Sequence, residues 1–184
     1  ACLLIPMGDP DFSKDTIAVL GVGLIGGSLA LAFKRAGIGN RIIGVSRQET
    51  IDLAVDQNVI DAGFTYEDLE SAVEQAEYVF LCTPISRILE FLPRCLDAVM
   101  SGCVVTDVGS TKRTVVEAAG AHPRSDVSFI GGHPMAGSER KGVDAADPFL
   151  FQNAIYVLTP GVDAQREQVD QMIEMITRIG AHVM

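Results

Sequence analysis

From Thr16 onward the chain alternates short β-branched and apolar runs with longer stretches whose apolar residues recur at helical spacing. Thr16–Leu20 predicts a strand, and the segment after it places Ile25, Leu29, Ala32 and Phe33 on one face of a helix. Gly37 and Gly39 stop that helix, after which 41–45 predicts a second strand and 49–57 a second helix. Residues 78–82, 103–107 and 127–131 are nearly continuous in apolar side chains, the pattern of strands buried on both faces of a parallel sheet. Helices are expected between them at 85–92, restarting at Pro93 where a missing N–H is harmless in a first turn, and at 111–119. An irregular stretch over 133–153 leads to a strand at 154–158 and a helix with Val169, Met172, Ile173 and Ile176 on one face. Strand and helix alternate throughout, which predicts an α/β fold with a doubly wound, mostly parallel sheet.

The two ends stand apart from this pattern. Residues 1–15, with Pro6, Gly8 and Pro10 and no period, are expected to form an irregular or disordered leader, leaving 16–184 as one domain. Residues 181–184 resemble the opening of another strand, so the chain is expected to be a fragment of a longer protein.

Composition narrows the class. In 184 residues, 48% hydrophobic, there is enough apolar material for one core, which excludes a disordered chain. Fourteen basic against 24 acidic residues leave a net charge of -10 and no basic excess, arguing against sequence-independent nucleic-acid binding. No apolar run approaches the roughly 20 residues that span a bilayer, so a soluble protein without a membrane partner is expected. The four cysteines form no CxxC pair, and two lie in strand-like apolar runs, which fits a reducing, cytoplasmic setting. No metal-ligand spacing is present.

The first chemical signal is Gly21-Val22-Gly23-Leu24-Ile25-Gly26, set between the first strand and the first helix. In that context Gly21 permits a tight turn, Gly23 lets the backbone approach a pyrophosphate, and Gly26 lets helix and strand pack closely. The helix start at Leu24 and Ile25 supplies N–H groups and the positive end of the dipole. This predicts a Rossmann-type NAD(P)-binding domain. Where a carboxylate would hold the ribose 2′-hydroxyl of NAD, at the end of the second strand, the chain has Ser46 and Arg47. A hydroxyl and a guanidinium there favour the 2′-phosphate of NADP, although Glu49 stands close enough to support NAD.

Further chemistry belongs at the carboxyl ends of the strands. Thr83 and Pro84 either line the nicotinamide pocket or simply open a helix. Ser110 either faces substrate or caps its helix, and Lys112 is placed to meet an anion. His133 is the one histidine at such a strand end, since His122 follows a helix and His182 lies in the last, incomplete strand. Imidazole changes charge near neutral pH, which suits the removal of a hydroxyl proton as hydride departs. The alternative is that His133 only fixes the turn before Pro134.

Taken in order, LGVGLIGGSLA, LCTP, TDVGSTK and GGHPMAGSE resemble the dinucleotide-binding domain of the prephenate dehydrogenase family, which includes arogenate-using relatives. The resemblance covers 16–184, and while GxGxxG is widely shared, the pairing of DVGSxK with GGHPMAG is specific. It implies oxidative decarboxylation of prephenate to 4-hydroxyphenylpyruvate, or of arogenate to tyrosine, with hydride transfer to NAD(P)+ in tyrosine biosynthesis. It implies that His133 takes the proton of the ring hydroxyl and that Ser110 orients both His133 and the substrate. It implies that Ser138 and Glu139 fall near the substrate mouth, with Lys112, Arg140 and Lys141 as weaker candidates for meeting its carboxylates; the alternative for Arg140 and Lys141 is a solvated surface. The resemblance also implies a second, mostly helical domain, absent here, through which the parent protein forms a homodimer and completes the substrate site. The chain alone is then expected to turn over little substrate. A β-hydroxyacid dehydrogenase and a non-catalytic dinucleotide-binding module are the alternatives.

Overall fold

The computed structural model describes residues 10–184. Its strands are β1 (Thr16–Leu20), β2 (Arg41–Ser46), β3 (Ala62–Thr65), β4 (Tyr78–Leu81), β5 (Val104–Asp107), β6 (Ser128–Pro134), β7 (Ile155–Pro160) and β8 (His182–Val183). Between them lie α1 (Leu24–Ala36), α2 (Gln48–Asp56), α3 (Leu69–Val73), α4 (Ile85–Ala98), α5 (Arg113–Gly120) and α6 (Arg166–Arg178). The strands form one sheet in the order β3-β2-β1-β4-β5-β6-β7-β8, parallel except where β7 runs against β6. From β1 the chain winds outward one way through β2 and β3, then returns to add β4 on the other side of β1. The carboxyl ends of β1 and β4 therefore flank a crevice at the switch point, where doubly wound sheets bind ligands.

Alternation along the strands divides the core into two layers. Ile17 and Val19 of β1 point to the layer holding Leu29 and Phe33 of α1 and Met172, Met175 and Ile176 of α6. Ala18 and Leu20 point to the other, where Leu69, Ile88, Phe91, Leu92 and Val115 from α3, α4 and α5 close the opposite face. Each such Leu, Ile or Phe contributes about 1.5–3 kcal/mol by leaving water. α1 ends as its sequence requires: Gly37 takes φ 68°, and the N–H of Ile38 returns to the carbonyl of Phe33 at 2.9 Å.

Several expectations are corrected. β3 and α3 were not anticipated: β3 reads AGFT with every residue half-buried, and α3 has five residues, too short to display a period. α4 runs unbroken through Pro93 instead of restarting there, because Ile88, Phe91, Leu92, Cys95 and Leu96 bury one continuous stripe that outweighs a missing backbone bond. α5 begins at Arg113, so Ser110 is not its cap. His133 and Pro134 belong to β6 and not to an irregular stretch, since β7 extends the strand by pairing Val157 with His133 and Tyr156 with Pro134.

The proposed leader lies outside the described residues as far as residue 9. From Pro10 onward it is irregular but packed: Phe12 is 2% exposed, meets Tyr78 edge-on and lies under the guanidinium of Arg178. Among the described residues no helix is long and apolar enough to cross a membrane. Within the same span, no group of three or more His, Cys, Asp or Glu is placed to hold a metal.

Candidate functional site

The glycine-rich turn is fixed by three different constraints. Gly21 adopts φ +93°, and a Cβ there would lie 2.8 Å from the carbonyl oxygen of Cys82. A Cβ on Gly26 would lie 2.1 Å from the carbonyl oxygen of Gly21, so the helix start presses directly on the turn. Around Gly23 a Cβ would meet nothing within 4 Å, which leaves open space above the first turn of α1. That turn carries no side-chain cap and no acidic residue, so the N–H groups at Leu24 and Ile25 are open to an anion. The N–H of Gly21 donates to Val45 at 2.8 Å and that of Cys82 to Leu20 at 2.7 Å, which holds the crevice walls together.

A cavity of about 600 Å³ occupies this crevice. Six residues singled out in the sequence line it, namely Gly21, Gly23, Ser46, Arg47, Thr83 and Pro84. Thr83 is 8% exposed and its hydroxyl has no partner, an orphaned group that a bound ligand would satisfy. Open space at Gly23, a free helix terminus and this hydroxyl all fit a dinucleotide. Sequence reasoning missed Thr50, Tyr66, Arg87 and Gly142, which complete the wall from other elements. Among the described residues no acidic side chain lines the cavity; Glu49 is exposed outside it.

A second cavity, about 460 Å³, adjoins at Ser46, Arg47, Tyr66 and Arg87. Arg87 lies over the rings of Phe91 and Tyr66 at 4.7 and 5.5 Å and donates to Glu90 at 2.8 Å. Arg94 is held by Glu70 through two bonds of 2.7 and 2.9 Å. Arg47, exposed where α2 begins, makes no ion pair among the described residues.

The neighbouring corner is built around Asp107, which is fully buried at the end of β5. Its Oδ2 accepts from the N–H of Gly109 at 2.9 Å and from Lys112 Nζ, while its Oδ1 accepts from the N–H of Gly132 at 3.2 Å. Lys112 Nζ also donates to the carbonyl of Gly132 at 2.6 Å. Two of its three donors are thus used within the fold, and its side chain is 16% exposed. One donor remains for the anion that the sequence assigns to Lys112. Burial pushes the Lys112 ammonium below its ordinary pKa, an effect countered by its bond to Asp107.

Ser110 stands exposed beyond β5, and His133 is half-buried near the end of the adjacent β6. The side-chain bonds of this corner run through Asp107 and Lys112, and none joins Ser110 to His133. Beneath them the hydroxyl of Tyr156 is buried without a partner, 3.1 Å from where a Cβ on Gly132 would sit. Burial first, then Asp107, also drives the Cys82 thiol far above its ordinary range, so it is an unreactive part of the wall.

Ser138 and Glu139 are exposed, and Ser138 Oγ accepts from the N–H of Arg140 at 3.2 Å. Arg140 reaches the carbonyl of Asp144 at 3.4 Å and Lys141 is exposed. The chain then folds back over α1, where Ser28 Oγ accepts from the N–H of Asp147 at 2.9 Å, and brings Gly142 into the cavity wall.

Comparison with known proteins accords with this geometry. Residues 29–184 match the family described as "Prephenate dehydrogenase, nucleotide-binding domain". The chain is 42% identical over 171 residues to the prephenate dehydrogenase of Bacillus subtilis, covering 92% of this chain and 46% of that protein. It therefore spans about half the length of that curated relative. Synechocystis arogenate dehydrogenase superposes with a TM-score of 0.83 at 38% identity, over 92% of this chain and 58% of that one. The Aquifex aeolicus prephenate dehydrogenase, solved with hydroxyphenyl propionate and NAD+, gives a TM-score of 0.86 at 28% identity, over 95% and 60%.

Proposed function

The chain belongs to the prephenate dehydrogenase family, as its nucleotide-binding domain, and from that premise we propose that the protein oxidises prephenate with loss of carbon dioxide. The product is 4-hydroxyphenylpyruvate, and the setting is cytoplasmic tyrosine biosynthesis. The observation that supports this reading is the placement of Ser110 just beyond β5 and of His133 near the end of β6, the parallel neighbour of β5 in the sheet.

NAD(P)+, when bound, would supply the hydride acceptor. The α1 terminus and Gly23 would hold its pyrophosphate, and Thr83 and Pro84 would line its nicotinamide end. His133 accepts the proton of the ring C4 hydroxyl as hydride leaves C4, so that a carbonyl forms there without charge building on oxygen. Ser110 orients the substrate from the neighbouring strand. The carboxylate then leaves C1 as carbon dioxide, its bonding pair enters the ring and shifts the C4 carbonyl pair onto oxygen, that oxygen takes back a proton to give the 4-hydroxyphenyl product, and aromatisation drives the step. Ser138 and Glu139 belong to the loop at the substrate mouth.

NADP is the preferred cofactor in this reading, because Ser46 and Arg47 line the cavity with no carboxylate beside them. A second domain, extending the chain toward the length of its relatives, completes the substrate site and carries a homodimer interface. Arogenate is the second substrate reading, supported by the similarity to the Synechocystis enzyme. Steady-state assays of the full natural protein with prephenate and arogenate, each with NAD+ and NADP+, test the proposal. Absence of nicotinamide reduction in all four combinations overturns it.

A further inference from the structure

We infer that Asp107 is the positioning residue that sets Ser110 and His133 relative to one another; this rests on the reading of those two as the substrate-facing pair. The ladder between β5 and β6 ends at Thr106 and Ile130, three or four residues short of both side chains. Beyond that point, among the described residues, the hydrogen bonds joining the two strand ends run through the Asp107 carboxylate and Lys112.

One oxygen of the carboxylate takes the N–H of Gly109, the residue before Ser110, and the other takes the N–H of Gly132, the residue before His133. Lys112 closes the arrangement by joining the same carboxylate to the carbonyl of Gly132. A single rigid group thus grips both turns one residue upstream of their functional side chains. Hydrogen bonds to a carboxylate are roughly twice as strong as neutral ones, so this link can hold the two strand ends where the ladder stops.

The glycines at both contacts are required by the same geometry. A Cβ on Gly109 would lie 2.9 Å from Asp107 Oδ2, and one on Gly132 would lie 2.5 Å from the Asp107 carbonyl oxygen. The spacing of Asp107, Gly109, Ser110 and Lys112, and the Gly131-Gly132-His133 run, are therefore two halves of one device. Asp107 is fully buried and bonded to Gly109, Lys112 and Gly132, so it acts through the two turns. Reacting groups misplaced by 1 Å lose about 10² in rate, which sets the size of the effect.

The test uses the full natural protein and the variants Asp107→Asn, Lys112→Met and the double variant. Asp107→Asn is expected to lower kcat by about 10²-fold while KM and the dinucleotide dissociation constant change by less than about threefold. It also leaves the Lys112 charge buried without its counterion, so its thermal midpoint falls. The double variant removes that charge, and should regain stability without regaining kcat; if Asp107→Asn does not fold, the double variant carries the test.

Recovery of kcat together with stability, or loss of kcat only in step with dinucleotide affinity, overturns the inference. Hydrogen–deuterium exchange separates its failure from that of the proposed function. If wild type turns over neither substrate, or His133→Asn keeps full activity, the functional reading fails. Asp107 is then judged by the segments holding Gly109 and Gly132: joint acceleration of at least about tenfold upholds the link, and response of only one or neither overturns it.

Discussion

Gly21 and Gly26 face one another so closely that the carbonyl oxygen of the first stands 2.1 Å from where a Cβ on the second would be. Gly23, between them, has no neighbour within 4 Å of its own Cβ position. The first pair is a packing requirement, and the third glycine leaves space for the ligand. Gly26→Ala is therefore expected to lower the thermal midpoint and dinucleotide affinity together. Gly23→Ala should keep the wild-type midpoint and lose affinity by roughly tenfold or more, about 1.4 kcal/mol, in a calorimetric titration.

In the proposed reading, Arg47 and Ser46 set the cofactor preference. NADP is expected to bind more tightly than NAD, and Ser46→Asp should reverse the order, since a carboxylate repels a 2′-phosphate and accepts from a 2′-hydroxyl. Titration of both nucleotides against both proteins measures this. Tenfold tighter binding of NAD by the wild type would contradict it.

Phe12 closes the amino-terminal end of the sheet against Tyr78 and Arg178. Phe12→Ala is expected to cost about 3 kcal/mol or more in denaturant unfolding, with dinucleotide affinity unchanged in the folded protein, because the residue lies at the end of the strands opposite the site. A change below 1 kcal/mol, roughly the loss from an exposed position, would place Phe12 outside the core.

Asp126 gives a pH signature remote from the site. Two bonds from Arg124, of 2.6 and 2.9 Å, hold its carboxyl down at about 2, and Arg124 also reaches the carbonyls of Leu96 and Val99. A carboxyl depressed on folding contributes stability that is present above its unfolded pKa and lost as pH falls through the folded one. The stability advantage of wild type over Asp126→Asn should therefore be constant above about pH 5 and vanish between about pH 4 and 2. Thermal melts across that range check it.

The strand-and-helix alternation and the glycine turn were legible in the sequence because both are local: Ile17 and Val19 or Ile25 and Leu29 reveal their faces through their own neighbours. The Asp107 corner was not legible, because its partners Lys112 and Gly132 lie 5 and 25 residues away and meet only once β5 and β6 are side by side. For the same reason Lys112 read as a free cation. Tyr66 and Arg87 enter the cavity from elements with no motif of their own, and β3 lacked a β-branched run to announce it. His133 read as the start of an irregular stretch because its strand is completed from the far side by β7.

His133 is the residue on which the proposed chemistry turns, and His133→Ala in the full natural protein is its most direct test. With prephenate and NADP+, kcat is expected to fall by roughly 10² to 10⁴, with the dinucleotide dissociation constant and thermal midpoint close to wild type. Near-normal turnover in the folded variant, or a parallel loss of stability, cofactor affinity and activity, would contradict the assignment of His133 as the base.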